Sequence, residues 1–394
     1  MNRRLVISKE KLWVFLITFF AFNLLFGSLQ PTELQNFINT IGILLGCFIF
    51  LIDMPLFYRK SSVSFFVLIV LFSLFELYST YVNLNNHTSI NGLTAGISFL
   101  AKILAFFVLI SYLIYNGYYK EVAKYLFFIC LGYCIINDVM LIFRYGRFKA
   151  LQVCLLGNKF EITYMHINLI AFYLFQTYFN DQSKSIKTKL WVLFLYAILI
   201  SRLVDCVTGL NGVLFFVILF FLIPKKVIYN PILWITISVI SFTSVYFWNQ
   251  IVNSNLYQNL VIDWLSRDGT MMGRINIFKQ LPQIMSGHWL WGYGAGSAYE
   301  TINNYMNMPN AQNGFWNIIL QIGSVAFIVL VIITVYSINK AKVLKIKCVE
   351  PLIIMIYVYS ILAVFEITID NNFIGYVLLI YLYTLPKILS REIK

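Results

Sequence analysis

Apolar runs follow one another along almost the entire chain, broken by short polar turns. They fall near residues 12–29, 34–52, 63–83, 93–115, 122–143, 162–179, 190–206, 210–223, 231–248, 313–336, 351–369 and 373–389. About 20 apolar residues wound as a helix cross the ~30 Å hydrocarbon core of a bilayer. Backbone with no water to bond must pair internally, which restricts spanning segments to helices and closed barrels. These runs are continuous rather than alternating, so they do not build a barrel. The pattern predicts an all-α, polytopic integral membrane bundle of about twelve transmembrane helices. It forms a single transmembrane domain over residues 1–394 with no internal repeat. The pattern is weakest over 190–223, where Arg202, Asp205 and Gly209 interrupt it. Read as two short helices, the segment keeps every later loop on a consistent side; read as one, it inverts everything downstream.

One break is long. Residues 249–312 form a polar excursion far beyond ordinary connections, and loops of that length are functional or disordered. Trp264, Trp289, Trp291, Tyr293 and Tyr299 give it apolar surface to bury, and Gly292, Gly294 and Gly296 suggest tight turns between them. It is expected to fold as an extracytoplasmic cap.

Charge refines this picture. With the N-terminus inside, 20 of the 29 Lys and Arg residues fall on cytoplasmic segments, from Arg3 and Arg4 to Arg391 and Lys394. The net charge of +13 is therefore a matter of membrane sidedness and does not call for nucleic acid. Both termini are expected in the cytoplasm. At 60% hydrophobic and 11% charged, the composition excludes an ordinary soluble globule. The six cysteines show no zinc spacing and are read as packing residues, and neither a GxxxxGK loop nor an HExxH motif is present. No metal or cofactor is expected.

Nine cations escape the cytoplasmic bias. Lys102 sits inside a span, beside the other buried ionisable candidates Glu76 and Asp138, which are read as paired within the bundle. Arg202, in ISRLVDCVTGLNG, stands at the outer end of a span and needs an anionic partner, whether Asp205, a headgroup or a substrate. Arg274, in DGTMMGRINIF, has Arg267, Asp268 and Lys279 close by and belongs to an amphipathic helix of the cap. The guanidinium fork pairs bidentately with phosphate oxygens and keeps its proton, so two such arginines suit a diphosphate. The segment LLGNKFEITYMH, preceded by Arg144, Arg147 and Lys149, adds Asn158, Lys159, Glu161 and His166 as a second candidate anion site. Anionic lipid is the competing occupant there.

Taken in order, an SR-containing turn after a mid-chain span, one large outer loop with GR before an apolar helix, a WGYGAG turn and QNGFWNIILQIG entering the next span resemble the O-antigen polymerase and ligase superfamily. LLGNKFEITYMH is similar to a segment of the capsular polysaccharide repeat-unit polymerases of Gram-positive bacteria (Wzy type). The resemblance runs from about Leu151 to the end of the chain, carried by the order of short motifs. It implies a glycosyltransferase at the outer face of the bacterial cytoplasmic membrane, acting on undecaprenyl-diphosphate-linked oligosaccharide donor and acceptor without an essential metal. Chain-length regulator and flippase proteins would be its neighbours in the bilayer. Arg202 and Arg274 match the family arginines that hold the diphosphate, and loss of either is expected to abolish polymer. Arg144, Arg147, Asn158, Lys159, Arg267, Tyr293, Gln312 and Asn313 are expected along the substrate.

One position departs from the pattern. Ligases and many polymerases carry histidine before an Asn-Gly pair, and here Gln312 precedes Asn313 and Gly314. Glutamine orients a hydroxyl but takes no proton at neutral pH. Glu161, His166 and Asp268 then become candidate bases, with Glu161 and His166 named as catalytic. The departure also counts against a ligase. A lipid-linked oligosaccharide flippase is the alternative from another class, supported by the buried charges and opposed by the long loop.

Overall fold

The computed structural model describes residues 9–57, 60–84, 92–144, 154–179, 186–254 and 269–385, and every regular element among them is a helix. The helices are α1 (Lys9–Leu25), α2 (Thr32–Phe57), α3 (Lys60–Val82), α4 (Gly92–Tyr115), α5 (Tyr119–Arg144), α6 (Lys159–Thr177), α7 (Ile186–Leu203), α8 (Val207–Phe221), α9 (Lys225–Ile228), α10 (Pro231–Val252), α11 (Gly269–Ile284), α12 (Ala298–Met306), α13 (Gly314–Val343), α14 (Glu350–Leu362) and α15 (Asn371–Leu382). Six of them, α2, α3, α4, α5, α10 and α13, are long and apolar enough to cross a membrane. Each of the twelve apolar runs contains helix within its described residues, and the protein is a helical, membrane-embedded one.

Its exterior is apolar. Leu51 is 76% and Phe143 85% exposed, and Leu44, Leu199 and Ile232 point outward in the same way. Contiguous apolar surface of this kind would aggregate in water and is at rest only against lipid. The interior is organised around α14 and α15, two short helices buried on all sides by α1, α4, α6, α8, α10 and α13. Because every face of α14 touches protein, apolar residues surround its axis without an amphipathic stripe. Asn168 of α6 ties the three inner helices together: its Oδ1 accepts from the hydroxyls of Tyr359 at 2.7 Å and Tyr376 at 2.9 Å.

Helices alternate in direction, which gives the bundle two chemically different ends. One end gathers Lys9, Lys11, Lys120, Lys124, Lys189, Lys225, Lys226, Lys340 and Lys342. There Glu350 accepts from Lys225 Nζ at 2.7 Å and from the Tyr178 hydroxyl at 3.2 Å. The other end carries the polar cavity described below. The interrupted run over 190–223 forms two helices, α7 and α8, joined by a turn in which Asp205 takes φ 48° and Cys206 Sγ accepts from Gly209 N as the cap of α8.

One expectation is corrected. The span expected over 351–369 ends at Leu362, because the chain turns over residues 363–370: Thr368 Oγ1 donates back to Tyr359 O at 2.6 Å and Asp370 caps α15. Glu366 therefore stands in a loop at the cavity end rather than in a span. The WGYGAG turn, Trp291–Gly296, docks into a break in α13 at Gly323. Tyr293 N donates to Leu320 O at 2.7 Å, Ser324 N to Trp289 O at 2.9 Å and Gly296 N to Gln321 Oε1 at 3.0 Å. Ser79 Oγ of α3 donates to both Trp291 O and Gln321 O, and Thr80 Oγ1 accepts from Ala295 N at 3.2 Å. The backbone groups released by breaking the helix are thus paired again.

Candidate functional site

A cavity of about 800 Å³ opens at the end of the bundle opposite the lysines. Its wall is made by the end of α1 (Leu25 to Ser28), the first turns of α6, Arg274 and Ile277 of α11, residues 308–312 ahead of α13, and the loop between α14 and α15. Three helices, α6, α13 and α15, begin at or beside this space. Their N-caps are Asn158, Asn313 and Asp370, each accepting two backbone N–H bonds. Asn158 and Glu161 complete a capping box on α6, with Glu161 Oε2 accepting from Asn158 N at 2.6 Å. An N-terminus carries roughly half a positive charge, so three of them directed at one space favour an anion there.

Arg274 supplies the full charge. It is 9% exposed, and its Nη2 donates to Phe365 O at 3.1 Å, Gln312 Oε1 at 3.3 Å and Glu366 Oε1 at 3.4 Å. The Gln312 amide is held in turn, since its Nε2 donates to Asn310 Oδ1 at 2.8 Å. Burial pushes the Glu366 carboxyl up to about 7, against the opposing pull of Arg274 and Lys159 and of the Thr208 hydroxyl. Burial likewise pushes Asp370 up to about 6, even though two backbone N–H groups favour its ionised form. The 3.4 Å separation from Arg274 is at the limit of a hydrogen bond, so the ion pair only partly offsets desolvation.

Two polar atoms of the wall, the Tyr164 hydroxyl and Asn371 Oδ1, are buried with no hydrogen-bond partner among the described residues. Native interiors rarely leave such groups unpaired. With the Phe160 and Tyr164 rings beside them, they make a wall that presents hydrogen-bonding atoms next to aromatic faces.

The structure brings Arg274, Asn158, Glu161 and Gln312 to this cavity and places the other described candidates elsewhere. Arg202 is exposed at the end of α7, at the same end of the bundle but outside the cavity wall. A tight turn follows it, with Cys206 N bonded back to Ser201 O at 2.8 Å. Lys159 reaches that turn instead, its Nζ donating to Asp205 O at 3.2 Å. His166 is buried between α5, α6 and α7: Nε2 meets Asp138 Oδ2 at 3.0 Å, Nδ1 meets Ile162 O at 2.8 Å, and Tyr196 also bonds Asp138. Tyr293 is committed within the docked turn, its hydroxyl donating to Ile284 O at 2.6 Å. Asn313 is a fully buried cap whose Nδ2 donates to Ser241 O at 3.0 Å. Arg147, Arg267 and Asp268, and the side chain of Arg144, lie outside the described residues.

Glu366, Asp370, Asn371 and Tyr164 are what reading the sequence missed. FEITIDNN does interrupt an apolar run with two acids and two amides, the signal that was there to find. Among the described residues, no three His, Cys, Asp or Glu side chains group closely enough to hold a metal ion. Neither a protein-family model nor a curated protein matches this chain.

Proposed function

We propose that the protein is a polysaccharide polymerase, a glycosyltransferase that joins undecaprenyl-diphosphate-linked oligosaccharide repeats at the outer face of the bacterial cytoplasmic membrane. In this reading all twelve apolar helices, α1–α8, α10 and α13–α15, cross the bilayer. The lysine-rich end faces the cytoplasm, as positive residues do, and the cavity faces out. Residues 269–312 then lie on the outer side and contribute to the cavity wall, with α11 delivering Arg274.

The observation that carries the reading is a buried Arg274 on the wall of a cavity among three helix N-termini, an arrangement suited to phosphate. The order of motifs shared with the polymerases and ligases points to which phosphate. As the glycosidic bond breaks, negative charge grows on the departing diphosphate, so a fixed guanidinium stabilises the transition state more than the ground state. The unpaired Tyr164 hydroxyl and Asn371 carbonyl suit a sugar, whose hydroxyls both donate and accept. Arg202, exposed beside the Lys159–Asp205 contact, is assigned to the mouth of the site, where it meets phosphates as the lipid approaches.

Purified protein in liposomes with lipid-linked repeats tests this. Polymerisation gives a ladder of chain lengths. Repeats that stay monomeric while crossing the bilayer are the outcome of a flippase, and the polymerase reading then falls.

A further inference from the structure

A transfer to a sugar hydroxyl needs a group to take the hydroxyl proton, and no histidine stands at the position before the Asn313-Gly314 pair. The three carboxylates on the cavity wall are not equivalent. Glu161 is committed to the capping box through Asn158 N, and Asp370 to the amides of Asn372 and Phe373 in the first turn of α15. Both are spent on holding helix ends. His166 lies outside the wall with both ring nitrogens engaged, and His288 is stacked on Tyr293 with centroids 4.0 Å apart, also outside it. Glu366 alone among the described acids of the wall does no capping; what holds it are the long contact to Arg274 and the Thr208 hydroxyl.

We infer that Glu366 is the base of the reaction, released from Arg274 when the donor's diphosphate takes its place on the guanidinium. This inference rests on the polymerase reading above. An arginine prefers a phosphate that pairs with it bidentately over a carboxylate held by one nitrogen at 3.4 Å. The exchange couples two events. Binding of the leaving group at Arg274 frees the carboxylate, on the same wall as the unpaired atoms of Tyr164 and Asn371 that would hold the acceptor ring.

The step balances. The acceptor oxygen attacks the anomeric carbon of the donor and its proton passes to Glu366. The bond from that carbon to the phosphate oxygen breaks, and its electron pair leaves on the lipid diphosphate held by Arg274. Glu366 returns the proton to water once product departs. A carboxyl near 7 is matched to this duty at neutral pH; burial raises it, opposed by Arg274 from α11, Lys159 from α6 and the Thr208 hydroxyl at the start of α8, while Glu161 and Asp370 share its wall and Tyr164 and Cys206 feel its charge. When diphosphate replaces Glu366 on Arg274, the carboxyl loses a cation and gains an anion nearby. Its titration in the complex therefore moves above that of the free protein.

The test is the pH dependence of polymerisation by the purified full-length protein with lipid-linked repeats. For wild type, kcat/KM rises with pH along a limb near 7 and kcat along a limb at higher pH. Glu366→Gln is expected to lower kcat by roughly a hundredfold to ten-thousandfold, leave the donor's KM little changed and lose the limb. Glu366→Ala is expected to regain part of its rate in formate, which supplies a carboxylate from solution. A Glu366→Gln protein that polymerises at the wild-type rate, or that keeps the limb, overturns the inference. So does a Glu366→Ala protein that formate does not rescue while its donor binding and thermal unfolding match wild type. A wild-type protein that makes no ladder overturns the polymerase reading itself and is told apart by needing no variant.

Discussion

Gly292 and Gly323 meet backbone to backbone: a Cβ built on Gly292 would stand 2.8 Å from Gly323 N and 2.6 Å from Leu320 O. Both glycines have positive φ, 63° and 73°. A Cβ on Gly323 would in turn stand 2.6 Å from Trp291 Cα. No flexible side chain can give way, since the neighbours are backbone. Gly323→Ala is expected to lower stability by at least the 1–3 kcal/mol typical of a forced left-handed residue. Gly132, in α5, has nothing within 4 Å of a built Cβ, so Gly132→Ala should be neutral or stabilising by up to about 1 kcal/mol. Thermal unfolding of the two variants in one detergent checks the contrast.

Arg274 and Arg202 should separate in kinetics. Arg274→Ala removes the guanidinium from the cavity and is expected to cost roughly a hundredfold to a thousandfold in kcat, about 2.7–4 kcal/mol. Arg202→Ala, outside the wall, is expected to raise KM for the lipid-linked donor more than it lowers kcat. Initial rates over a range of donor concentration give both constants. Equal losses of kcat in the two variants would place Arg202 at the reacting atoms.

Glu366 and Asp370 also make stability depend on pH, with a definite sign. Their folded values, about 7 and about 6, lie above the ordinary 4.5 and 3.8, so the folded state holds protons more tightly than the unfolded one. Stability is highest in acid, falls as pH rises from the ordinary values, and has lost the full contribution once pH passes about 7. Glu366→Gln removes the larger part. It is expected to raise the unfolding temperature relative to wild type at pH 8, by a free energy on the order of 3 kcal/mol, and to leave it nearly unchanged at pH 4. Unfolding scans at the two pH values read this directly.

Tyr164→Phe removes a buried hydroxyl that has no partner among the described residues. Nothing in the fold is lost with it, so the unfolding temperature should hold or rise slightly. The KM for the acceptor is expected to rise severalfold, as loss of a single hydrogen bond of about 1 kcal/mol would produce. An unchanged acceptor KM would remove Tyr164 from the sugar site.

Much of the bundle was legible because hydrophobic run length is a local property. Arg202, Asp205 and Gly209 marked the α7–α8 turn, and Gly292, Gly294 and Gly296 marked tight turns, with φ of 63°, 91° and 76°. The cavity was only partly legible. Arg274 and Gln312 were visible as candidates, but Glu366 was absorbed into an apolar run because its release from helix depends on Asp370 capping α15. Asn158 and Glu161, three residues apart, are a capping signature as much as an anion site, and spacing alone does not choose. His166 read as part of an anion site from its place in LLGNKFEITYMH. Its burial against Asp138 and Tyr196 depends on how α5 and α7 pack around α6, which no local pattern encodes.

The break in α13 bears on how the chain assembles. In hydrocarbon an unpaired amide costs several kcal/mol, so a segment from Gly314 to Val343 standing by itself is more stable as one uninterrupted rod. It gains by opening at Gly323 only when Trp289, Leu290 and Tyr293 are present to take up the exposed groups. Those residues leave the ribosome before the rod does, so its partners are waiting when it enters the bilayer. The bend is thus acquired at docking, and it reports, like a latch, whether the segment ahead of it has reached its place.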